Sequence, residues 1–502
     1  MSVLLAVLAQ CLVVPAAHAK WLRAETRNFV IYSSGSEREL RRFASNLEMF
    51  DGLAQRRFGL EPNDNTNKLT IYFLDSQSDV SRLAGDKDRM VAGFYSARLE
   101  GSFAVANRSR GDGMWDLNGM TVLFHEYAHH FMFRNFDFAY PAWYVEGFAE
   151  YLSTATFSAD GSWTMGKPAF HRAYSLLEGK KLPIEKLLFS SVSDLKSDEV
   201  SVFYGRAWLL VHMLNMKPEH QGKLKTYFTA IREGKPPREA AALAFGDLQQ
   251  LDKSLDLYLR QRLSYYTSPT PIPADTTTTV TELDEATGQL VGFRMLRLVG
   301  RMEPKAMAAL RGLAAANLGS AEIWHELALA ERQFSGPGDD NEAARQAREK
   351  AAEAAVDRAL AADPNHVRAN VLKADILMTR LEEGRVTEPA RWSDARKFLI
   401  TANKYAVDDP LVLFNWYNSF RLQGREPSAT ARAALARAFV LAPEVINVRV
   451  AYAFDLADQR RFDEALGLVE FLAQHPHHAA EGRELVERIK EMRDRAAADK
   501  DS

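Results

Sequence analysis

Apolar and polar positions follow two periods along this chain and divide it into unlike halves. In the first half, short runs rich in β-branched and aromatic residues predict strands. These are Asn28-Phe29-Val30-Ile31-Tyr32, Lys68 to Leu74, Val91-Ala92-Gly93-Phe94-Tyr95 and Gly101-Ser102-Phe103-Ala104-Val105-Ala106. Helical spacing fills Glu37 to Phe58, and a short helix is expected over Ser76 to Leu83. The run Met120 to Phe133 is apolar and aromatic without Pro or Gly, which predicts a buried helix. Pro141 suits a first helical position, so Trp143 to Leu152 reads as the next helix. A helical subdomain follows over about residues 165 to 266.

The clearest break is Ser268 to Thr281, SPTPIPADTTTTVT, whose Pro and Thr density predicts a linker. From Leu283 onward the composition shifts to Ala, Leu, Arg and Glu, with helices throughout. Pro364, Pro410, Pro443 and Pro476 each close an apolar helix, at intervals of 46, 33 and 33 residues. The longer interval implies an insertion. Helix pairs repeated at such a period leave apolar faces that only stacking neighbours bury.

At 502 residues, two or three domains are expected, and a 47% apolar fraction is enough for substantial cores. The net charge of −3 comes with no basic patch for nucleic acid and no polybasic segment for anionic lipid. Met1 to Ala19 has an apolar centre and ends in Ala17-His18-Ala19, the pattern of a cleaved export leader. It is short for a membrane span, so no stable span is expected. Cys11, the only cysteine, lies within it, so the mature chain would carry no disulfide. A periplasmic or secreted location is expected.

The chemistry concentrates in Thr121 to Thr154. His125-Glu126-Tyr127-Ala128-His129 is an HExxH motif. Residues four apart share a helix face, so His125 and His129 can present two imidazole nitrogens to one ion, with Glu126 beside it as general base. A catalytic zinc site needs a third protein ligand and one open position. The next helix offers Glu146 and Glu150, again four apart. Glu146 is assigned as the third ligand. Glu150 is assigned as the carboxylate that orients a ligating histidine through its other ring nitrogen. His130 points elsewhere on the helix, as a packing or hydrogen-bonding residue.

HExxH followed by a helix carrying Glu146-Gly147-Phe148-Ala149-Glu150-Tyr151 resembles the gluzincin metallopeptidases, which include thermolysin and aminopeptidase N. The closer likeness is to bacterial peptidase MA-like domains, over roughly residues 90 to 260. Sixteen residues separate His129 from Glu146, slightly fewer than in the best-known gluzincins. The resemblance implies an α+β zincin-like catalytic domain holding Zn2+ and hydrolysing peptides. It also implies a tyrosine that stabilises the oxyanion, on a helix like Phe203 to His212. Tyr204 is the candidate, with His171 and His212 behind it. The competing reading is a core aromatic on one face with Trp208 and Val211. Arg206 is read as a salt-bridged or solvated arginine rather than a carboxylate binder. In zincins a substrate pairs with an edge strand, and Ser102 to Ala106 is the candidate, with a plain structural hairpin strand as the equal alternative and the loop Asn107 to Gly119 covering the cleft or merely connecting.

Ala442 to Pro476, with small Ala453 and then Phe462-Asp463-Glu464-Ala465, resembles a TPR repeat. That implies an all-α TPR-like superhelix, either able to bind a peptide or protein partner or serving as a purely structural extension that buttresses the catalytic domain. The expected divisions are a leader over 1–19, an α/β subdomain over 20–108 and a metal-binding helical subdomain over 109–267. A linker over 268–282, the repeats over 283–490 and a frayed tail over 491–502 complete them. His475, His477 and His478 read as a solvated turn. The function these features point to is an exported zinc metallopeptidase acting on a peptide or protein substrate. The alternative is an envelope scaffold in which the repeats bind and the zincin domain is inactive or autoinhibited.

Overall fold

The computed structural model describes residues 20–61, 67–87, 91–109, 117–136, 140–273, 277–334, 341–473 and 479–501. The expected leader with Cys11, the turn histidines His475, His477 and His478, and most of the loop Asn107 to Gly119 lie outside the described residues.

A strand that the pattern does not mark, β1 (Leu22–Glu25), comes first, and the predicted strands form, within a residue or two, as β2 (Phe29–Ser33), β3 (Leu69–Leu74), β4 (Gly93–Ser96) and β5 (Phe103–Asn107). With β9 (Thr279–Glu282) they make one mixed sheet in the order β4-β5-β3-β2-β1-β9. The central strands β2, β3 and β5 run parallel, with Ile31 opposite Ile71 and Ile71 opposite Ala104. Parallel strands are ordinarily covered on both faces, and these are. Phe29, Ile31, Ile71 and Phe73 point into the main core with α1 (Glu37–Phe58) and α3 (Gly119–Asn135). Tyr72, Phe103 and Val105 pack on the other face against Val291, Met295 and Leu298.

Local signals set the helix ends. Ser36 caps α1 by accepting from the Glu39 amide, and Gly59 closes it in the left-handed conformation. Ser76 caps α2 (Gln77–Ala84) in the same way, through the Asp79 amide. Asn118 caps α3 through the Thr121 amide. Pro141 sits at the N-cap of α4 (Ala142–Leu152), one position before its expected place.

The Pro/Thr-rich stretch is not a free linker. β8 (Tyr266–Ser268) at its start pairs with β7 (Trp163–Met165), which also pairs with β6 (Thr156–Phe157). β9 at its end pairs antiparallel with β1, Leu22 opposite Glu282. The Thr and Val residues that look like linker by composition are also good strand formers, and an open sheet edge recruits them.

Among the described residues, the second half is a succession of helices from Glu285 to Asp501, with sequence neighbours packed on one another. The 46-residue interval is taken up largely by two helices of 17 residues, Val367–Glu383 and Pro389–Tyr405, where the next pair has 13 each. Pro410 opens the helix Pro410–Leu422 rather than only ending the one before. The helix Ala479–Asp501 runs through the segment expected to fray. None of the described helices is long and apolar enough to cross a membrane.

The two halves meet at the β4–β5 turn. Ala97 and Leu99 pack against a cluster that includes Tyr417, Leu435 and Val445. Arg98 donates to the Leu298 carbonyl at 2.7 Å, and Arg297 pairs with Glu100 at 3.2 Å and with Glu326. Buried Glu444 accepts from Ser102 Oγ at 3.2 Å, and its other oxygen lies 3.6 Å from Arg134.

Candidate metal centre

α3 and α4 bring the three predicted ligands together. His125 Nε2 and His129 Nε2 are 3.1 Å apart, and Glu146 Oε2 lies 3.5 Å and 3.4 Å from them. A tetrahedral ion with bonds of about 2.0–2.1 Å sets its ligand atoms about 3.3 Å from one another. The triangle therefore has the size of three corners of such a site. His125, His129 and Glu146 could hold a metal ion, and the donor set of two imidazoles and one carboxylate suits a divalent one. Its open side faces a cleft of about 1010 Å³ lined by Glu126, Tyr204 and the strand β4.

The supporting contacts follow from the same helical spacing. Glu150 Oε1 lies 3.3 Å from His125 Nδ1, the ring nitrogen turned away from the triangle. The same carboxylate meets His171 Nε2 at 3.0 Å and pairs with Arg172. Burial works against its charge, but Arg172 and His125 outweigh it and hold the Glu150 carboxyl well below the usual carboxylate range. Glu146 is likewise buried yet held low, by His129 and His125. Burial also opposes charge on His125, but Glu146 and Glu150 push it up to about 10. Desolvation raises Glu126, the direction a proton-accepting carboxylate needs if it is to pass the proton on.

No protein-family model and no curated protein matches this chain. What the site can do therefore rests on its own geometry.

The expected neighbours divide into two groups. Tyr204, on the helix Ser197–Met216, lines the cleft with its ring centroid 6.2 Å from that of His125 and the Arg172 guanidinium over its face at 5.1 Å. Trp208 and Val211 of the same helix are in the core, so Tyr204 does not share their environment. Burial and the nearby Glu146 push its phenol well above its ordinary value, so it stays a donor. His171 reaches the site through Glu150, but His212 does not stand behind Tyr204. Its two ring nitrogens are bonded to Tyr258 Oη and the Gly166 carbonyl, each at 2.8 Å, in the core. Arg206 is salt-bridged to Asp252 and Asp256, as expected. His130 is buried and meets Tyr95 Oη at 3.0 Å, a hydrogen-bonding role as expected.

The edge-strand expectation needs correcting. β5, holding Phe103 to Asn107, lies between β3 and β4, so its main-chain groups are already paired. The edge beside the cleft is β4. A Cβ placed on Gly93 would sit 2.3 Å from Val122 Cγ1 and 3.7 Å from Glu126 Cγ, so this strand presses on α3 next to the general-base candidate. Two other contributors carry no sequence signal. Arg172 is one residue from His171 but is marked by no motif. Glu444 lines the cleft from more than 300 positions downstream of β4, where only tertiary packing can bring it.

Proposed function

We propose that the chain is a zinc-dependent metallopeptidase, with a gluzincin-like catalytic unit of the peptidase MA-like kind and a TPR-like helical array. The observation that carries this reading is the triangle of His125 Nε2, His129 Nε2 and Glu146 Oε2, with sides of 3.1 to 3.5 Å, opening onto the cleft that Glu126 lines. A zinc ion held there supplies Lewis acidity for an attacking water and for the scissile carbonyl.

The chain's own residues do the rest. The substrate lies extended along β4, whose free edge pairs with its main chain. Glu126 takes a proton from the attacking water and delivers it to the leaving amine. The Tyr204 hydroxyl donates to the oxygen on which negative charge develops. Glu150 accepts from His125 Nδ1, which keeps the Nε2 lone pair aimed into the triangle. The pattern in Met1 to Ala19 supports an exported location.

The test is metal content by mass spectrometry on the purified protein, read beside hydrolysis of an unfolded protein. About one zinc per chain is expected, lost in Glu146→Ala. Glu126→Gln should keep the metal and lose hydrolysis by about 10²–10⁴-fold. A folded protein that takes up no zinc when it is offered, or a Glu126→Gln variant with full activity, would overturn the reading.

A further inference from the structure

A second groove, of about 700 Å³, lies between the helical array and the sheet, with Tyr32, Thr70 and Tyr72 on the sheet side. Leu329, Leu411, Phe414 and Asn418 line it, drawn from the helices Ala321–Gln333 and Pro410–Leu422. Leu99, Glu100 and Asn447 line both this groove and the cleft that holds His125, His129 and Glu146. The two cavities therefore meet at the tip of the β4–β5 turn. Leu99 and Glu100 are only half-buried there, so the turn is a sill between them rather than a closed wall.

The chemistry of the groove narrows its occupant. Its arginines are already matched by carboxylates: Arg294 with Glu322 and Glu326, Arg332 with Glu349 and Asp375, and Arg368 with Asp409. A phosphate or nucleic acid would find little uncompensated positive charge. The remaining surface mixes apolar side chains with amides, the phenols of Tyr32 and Tyr72 and the imidazole of His325. The Asn418 and Asn447 side chains make no hydrogen bond to another described residue, and an amide offers both a donor and an acceptor. That combination suits the main chain and apolar side chains of an extended polypeptide.

We propose that groove and cleft form one composite site for an unfolded polypeptide segment, which passes from the array over the Leu99–Glu100 sill to the edge of β4. The substrate class is extended protein chains rather than short peptides. This rests on the metallopeptidase reading for what happens at the cleft end, but binding in the groove does not depend on hydrolysis.

The test uses full-length Glu126→Gln protein, so that binding is read without turnover. A permanently unfolded probe, reduced and carboxymethylated lactalbumin carrying a fluorophore, is compared by anisotropy with eight-residue peptides of its own sequence. The long chain is expected to bind at least about tenfold more tightly, with weak dependence on salt. Asn418→Trp, which fills the groove, should remove that advantage. Asn418→Ala should reduce it less and guards against misfolding of the bulkier variant. Equal affinity for long and short probes would overturn the proposal, as would an advantage that survives Asn418→Trp in a folded protein. Metal content and hydrolysis by the wild-type chain report separately on the metallopeptidase reading, so the two can fail independently.

Discussion

Glu150 Oε1 stands 3.3 Å from His125 Nδ1, on the opposite side of the imidazole from the Nε2 that faces Glu146. Two carboxylates four residues apart on α4 thus grip one histidine from its two nitrogens. One faces the ion position and the other sets the ring, and the spacing that puts them on one helix face makes both contacts possible. Glu150→Gln keeps the shape but loses the charge that answers His125 and Arg172. Zinc affinity measured against a competing chelator should fall about 10–100-fold. An unchanged affinity would show that the Glu150 contact does not tune the ligand.

Tyr204 brings a hydroxyl to the cleft without being a ligand. Tyr204→Phe should lower kcat by about 10²-fold, the effect of removing one oxyanion donor, with KM and zinc content unchanged. Steady-state kinetics on an unfolded protein substrate, beside metal analysis, separate this from a loss of packing. A rise in KM alone would mean the phenol only contacts substrate.

Gly147 follows the candidate ligand Glu146 on α4 and faces the helix Ser197–Met216. A Cβ there would come within 2.5 Å of the Ala207 carbonyl oxygen and 2.7 Å of Val211 Cγ2, on the helix Ser197–Met216. Alanine is the better helix former by about 1 kcal/mol. A backbone carbonyl cannot rotate out of the way, however, and forcing packed helices apart costs about 1–3 kcal/mol. Gly147→Ala should therefore give a net loss of stability in denaturant unfolding, and a weaker zinc site because Glu146 moves with α4. A more stable variant would show that the two helices separate at no cost.

Asp51 on α1 braces α3 by accepting from Tyr127 Oη at 2.6 Å. Burial pushes its carboxyl up to about 6, against the pull of that hydrogen bond. The folded state therefore holds this proton more tightly than the unfolded chain. The associated stability is present below about pH 4 and is lost as pH rises through 6, on the order of 3 kcal/mol in all. The unfolding free energy of Asp51→Asn relative to the natural protein should shift in the variant's favour by that order between pH 4 and 7. A difference that does not change with pH would contradict the raised value.

The grouping of His125, Glu126 and His129 on α3 and of Glu146 and Glu150 on α4 was legible from the sequence because helical geometry is local. A spacing of four residues puts His125 with His129, and Glu146 with Glu150, whatever surrounds them. Strands β2, β3 and β5 and helix α1 were legible for the same reason, since their apolar periods of two and 3.6 residues are properties of consecutive positions. What only the tertiary structure decided are matters of which distant segments meet. β4 rather than β5 is the free edge because β5 is claimed by β3. The end of the Thr-rich stretch that reads as linker, Thr279–Glu282, became a strand because β1 offered an open edge. His171 and Arg172 reached Glu150, while His212, inside the apolar run Trp208 to Leu214, went to the core. Glu444 came to the cleft wall because helix stacking carries the chain back to Ser102 and Arg134. Each of these depends on contacts between residues far apart in sequence, whose loop-closure cost is repaid only in the assembled fold, and a local pattern carries no record of them.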